Sequence, residues 1–176
     1  MAIAQTNTVA AVLSQVVLAF YWLAIITLVL GTFVFGVGIA GSMNGGAFKL
    51  PLLTAWSEGV PTAQLVMALL ETIIFAAALA YVCSELRKVL STLADGDPFV
   101  PDNASRLMRI AVALAIVEVA GIIGVFLMKM VFGLSGTESL RLSVDLAMIG
   151  AIIVLWILAQ VFKEGTRLRE EERMTI

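Results

Sequence analysis

Four charged side chains fall inside or beside long apolar runs: Glu71, Glu118, Lys129 and Asp145. An ionisable group within a membrane span is costly, so it marks an ion or proton path or a polar contact between helices. Glu71 lies about 9 residues from the outer end of the second apolar segment, roughly 13 Å along a helix at 1.5 Å per residue. Glu118 lies about 10 residues from the inner end of the third, roughly 15 Å by the same rise. Those two segments run antiparallel, so both carboxyls come near the middle of a bilayer. Uncompensated charge there costs at least about 2.5 to 3.5 kcal/mol. The less costly states are a protonated carboxyl or a hydrogen-bonded pair sharing one proton. Two roles fit: a proton-coupled or cation-binding pair, or interhelical glue worth about 0.6 kcal/mol per contact. A proton path needs further polar residues, and the first segment offers few, such as Ser14, Gln15 and Thr27, and the fourth few, such as Ser143 and Gln160. Lys129 and Asp145 lie toward the outer ends of helices joined by a short turn, where a salt bridge or snorkelling to headgroups is expected.

What is missing narrows the chemistry. The chain has no His and a single Cys, Cys83. That removes the usual general base and the usual zinc and haem ligands, and it leaves no intrachain disulfide. Cys83 reads as a small apolar residue near a helix end. The net charge of -2 argues against a nucleic-acid-binding face. The chain is expected to be no enzyme, to hold no metal or cofactor, and to make no direct contact with nucleic acid.

The elements that must position these residues are set by hydropathy. Apolar residues make up 61% of the 176, and the mean hydropathy is +1.04. That leaves too little polar surface to wet a globule of this length, so the expected class is an all-α integral membrane four-helix bundle. Met1 to Val9 carries no Lys or Arg, unlike the n-region of a cleaved signal peptide. About 20 apolar residues span a bilayer. The first helix is expected over about 10–41, with Gly31, Gly36, Gly38 and Gly41 allowing either close backbone approach or a frayed exit. Residues 42–62 form the first loop, punctuated by Asn44-Gly45-Gly46, Pro51 and Pro61, with Phe48, Lys49, Trp56 and Glu58 at headgroup level. Further helices are expected over about 63–93, 104–132 and 138–172 within one transmembrane domain, 1–176. Asp95-Gly96 and Pro98 stop the second, Asp102 or Asn103 caps the third, and Gly133 to Thr137 turns into the fourth.

Basic residues set the orientation. Arg87, Lys88, Arg106 and Arg109 lie in the central loop (about 84–109), and Lys163, Arg167, Arg169 and Arg173 in the tail (about 163–176). The first loop carries Lys49 and the last Arg141. Four spans put both termini and the central loop on one side, so the expectation is N-in and C-in. Leu86, Val89, Leu90 and Leu93 continue the second helix at helical spacing, and paired charges continue the fourth. These ends are either solvated helix termini or a docking surface. The closing Met174-Thr175-Ile176 has the β propensity to add to a partner as an extended peptide.

Gly96-Asp97-Pro98-Phe99, Asn103 followed by Arg106-Leu107, and the tail from Val161 to Ile176 resemble the bacterial family known as domain of unknown function 2975, small four-helix inner-membrane proteins. The likeness covers roughly the last hundred residues; the first helix and loop agree only in hydropathy. Members are often encoded beside a small helix-turn-helix transcription regulator, so the resemblance implies a membrane protein that tethers or inhibits such a partner. Residue by residue it points to Asp97, Pro98, Phe99, Asn103 and Arg106, and to Gly165, Leu168, Arg169, Glu170, Glu171, Thr175 and Ile176. Arg173-Met174 departs from the more usual acidic or Asn-Glu-Leu run, which leaves partner recognition open. The leading expectation is a non-enzymatic, multi-pass inner-membrane protein that contacts lipid and binds a protein on its cytoplasmic face. The alternatives are a small proton-coupled transporter built on Glu71 and Glu118, and a structural subunit using the Gly-rich first helix.

Overall fold

The computed structural model describes residues 2–43, 58–132 and 145–174. These form four helices: α1 Ala2–Met43, α2 Thr62–Ala94, α3 Pro101–Phe132 and α4 Leu146–Met174. Each is long and apolar enough to cross a membrane. Only 6 to 17% of the most apolar window of each is buried inside the chain. Val29, Phe33, Ile116, Phe126 and Ile157 are all more than half exposed. Apolar surface on this scale is a liability in water and is compatible with lipid as its solvent.

The helix ends follow local rules. α1 begins well before the expected residue 10, because Gln5 to Thr8 lowers helix propensity only by tenths of a kcal/mol per residue. α2 closes in a Schellman turn: Gly96 adopts φ 79°, its N–H donates to the Leu93 carbonyl (3.1 Å), and Asp97 N–H donates to that of Thr92 (3.0 Å). α3 opens at Pro101, whose fixed φ suits a first helical position, and not behind an Asp102 or Asn103 cap. Asn103 instead lies inside the first turn with its side chain buried. α4 begins at Leu146. Asp145 is its N-cap, Oδ1 accepting from the backbone N–H of Ala147 (2.9 Å) and Met148 (3.3 Å). The expected start near 138, the turn before it, the headgroup residues Phe48, Lys49 and Trp56, and Thr175-Ile176 lie outside the described residues.

The chain packs as two compact units. The first comprises residues 1–23, 78–116 and 145–176. Val17, Cys83 and Leu90 centre its core, with Tyr21, Leu79 and Leu86 packed around them. Cys83 is one of these small buried apolar groups. The second unit comprises 24–77 and 117–144. Within it, α1 and α2 approach closely at Gly31, where an added Cβ would lie 2.6 Å from Thr72 Cγ2; at Gly36 it would meet nothing within 4 Å. Thr62 Oγ1 donates to Ser42 Oγ (3.0 Å) in the same unit.

Candidate functional site

The polar residues of the first unit converge where α2, the 95–100 loop, α3 and the end of α4 meet. Asn103 is fully buried. Its Nδ2 donates to Thr92 Oγ1 (2.6 Å) and to the Pro98 carbonyl (2.9 Å), and its Oδ1 accepts from Arg106 Nη1 (2.9 Å). One amide thus joins the last turn of α2, the loop and the first turn of α3. Arg106 Nη1 also donates to the Lys88 carbonyl (3.2 Å), and Nη2 lies 3.5 Å from Asp102 Oδ2.

The loop then locks onto α4. Asp97 pairs with Arg169, 72 residues away in the chain. The Phe99 ring stacks on Phe162, with centroids 5.7 Å apart at 42°, and lies directly over Gly165. A Cβ at Gly165 would fall 2.6 Å from Phe99 Cε1, so only hydrogen lets the ring seat there. Thr166, buried beside it, donates to the Phe162 carbonyl (2.9 Å) and on to that of Phe99 (3.4 Å).

Of the twelve loop and tail residues the sequence singled out, six are thus tied together inside the chain: Asp97, Phe99, Asn103, Arg106, Gly165 and Arg169. Pro98 joins them through its carbonyl. Leu168 and Glu170 remain exposed, and Glu171 lies 3.7 Å from Arg167 Nε. Glu85 was not foreseen. It is 2% exposed, with Oε1 2.5 Å from Lys88 Nζ and Oε2 3.4 Å from Arg109 Nη2, whose side chains are about half exposed. Oε2 has the distance of an ion pair without hydrogen-bond alignment. The available signal was helical spacing: Glu85 precedes buried Val89 by four residues and so shares its face.

The remaining charged positions lie elsewhere. Glu71 and Glu118 both belong to the second unit. Glu71 Oε1 faces Gly124 of α3, where an added Cβ would be 3.1 Å away, and it forms no hydrogen bond to Glu118. Lys129 stands in the last turn of α3. Among the described residues no group of three or more His, Cys, Asp or Glu is placed to hold a metal ion. Compared with known proteins, the chain matches no family model, no curated protein and no solved structure. Function is therefore argued from the site itself.

Proposed function

We propose that this is a multi-pass protein of the bacterial inner membrane, N-in and C-in, that binds a protein partner on its cytoplasmic face through the loop–α4 surface. The observation that carries the reading is the lock of Asp97 and Phe99 onto Arg169 and Gly165. A helix end that merely trails into solvent has no need to dock a loop 70 residues upstream. A docked pair presents a preformed surface, which lowers the ordering cost of association. α4 has 29 residues, about 43 Å at 1.5 Å per residue, longer than a hydrocarbon core of about 30 Å. Its last turns are therefore free to project into water. There Leu168 (50% exposed) and Met174 (81%) stand with exposed Glu170 and Glu172, an apolar and acidic strip suited to a basic partner's groove. The resemblance noted above implies a small helix-turn-helix regulator in that role, and its basic DNA-binding surface has the right sign. Binding is non-catalytic and needs no cofactor.

The test is affinity purification from native membranes with the full chain and with a chain ending at Arg169, which keeps the Asp97 and Phe99 contacts. The full chain is expected to retain a soluble protein that the shortened one loses, with both inserted equally. Retention of the same protein by the shortened chain refutes the reading.

A further inference from the structure

The second unit holds a cavity of about 490 Å³. Thr27 and Phe35 of α1, Thr72 and Phe75 of α2, and Val117 and Gly121 of α3 line it, and Glu71 is the one charged side chain among the described lining residues. Glu71 makes no hydrogen bond or ion pair with a described residue. Thr72, its nearest hydroxyl in sequence, donates instead to the Ala68 carbonyl of its own helix (2.7 Å). The carboxyl reaches toward α3 in the space that Gly124 leaves open.

Inside a membrane span, a carboxylate among apolar walls demands a positive partner. A hard metal ion would need about six or more oxygen ligands, far beyond one carboxylate and two threonine hydroxyls. The walls instead suit a cation that carries its own apolar bulk, and aromatic side chains such as Phe35 and Phe75 attract such cations. We propose that this cavity binds lipophilic organic cations, of the delocalised phosphonium or bulky ammonium class, with Glu71 as counter-ion. The proposal rests on the reading of the helices as membrane spans and is independent of the loop–α4 surface.

The full chain, purified from membranes in mild detergent, is tested by equilibrium dialysis with tetraphenylphosphonium and with its anionic isostere tetraphenylborate. Saturable binding of the phosphonium alone is expected. Glu71, exposed at the cavity, is the counter-ion, and Glu71→Gln weakens binding by roughly tenfold or more, the loss of one charge pair. Gly121→Leu, at a position where an added Cβ meets nothing within 4 Å, fills the cavity and abolishes binding with Glu71 in place. Unchanged affinity in Glu71→Gln, equal binding of the borate, or no saturable binding by the inserted parent chain overturns the proposal. A parent chain found in the soluble fraction overturns the membrane reading beneath it as well.

Discussion

Asn103 is the residue on which the inner loop turns. Three of its side-chain hydrogen bonds reach three different segments, and none is open to water. Removing the amide leaves the Pro98 carbonyl and the Thr92 hydroxyl short of a donor, a loss of about 1 to 3 kcal/mol. Asn103→Ala is expected to lower unfolding stability in detergent by that amount. Thr92→Val added to it should cost clearly less than Thr92→Val alone, because the two share one bond; strict additivity in the double-mutant cycle would disprove the link. Glu85 works by a different balance. Its carboxylate is desolvated while Lys88 and Arg109 keep half their surface in solvent, so the cations lose little hydration in holding a buried anion. Both residues were legible in type and position, but not in role. Local pattern offers Asn103 as a cap candidate and leaves Glu85 unremarked in the polar continuation of the second helix, since burial depends on neighbours far along the chain.

At the scale of elements, helix ends were readable wherever a short-range signal decides them. Asp95-Gly96 ends α2 within one residue of expectation, because a left-handed φ strongly favours glycine. At α4 the described helix is set off by the Asp145 cap, and capping geometry of this kind is invisible to a hydropathy count. The roles of Gly96 and Asp145 make a joint prediction. Gly96→Ala forces a side chain into the left-handed region, at about 1 to 2 kcal/mol. Asp145→Ala removes an N-cap, at about 0.5 to 2 kcal/mol. Thermal unfolding in detergent should show both losses, while Asp145→Ser stays near the parent. A parent-like Gly96→Ala would mean that the α2 turn is not held as described. Gly165 belongs here too, since one missing methyl lets α4 receive Phe99.

At the scale of the whole molecule, the expectation concerns sidedness. With basic residues concentrated in the 84–109 and 163–176 segments, reporters fused after Gly96 and after Ile176 should both register as cytoplasmic. A reporter placed between Asn44 and Ser57 should register on the opposite side. Opposite results at Gly96 and Ile176 would break the four-span topology. Helical class and the four apolar helices among the described residues follow from the sequence alone, because hydropathy summed over 20 to 30 residues depends on composition and not on contacts. The chemistry of single polar residues was decided only by tertiary structure. Asp97 finds Arg169 across 72 positions, Glu85 finds Arg109 on α3, and Glu71 meets the gap at Gly124 and not Glu118. Spacing along one helix says which face a residue shares. Which residue of another helix stands opposite depends on packing that no local pattern encodes.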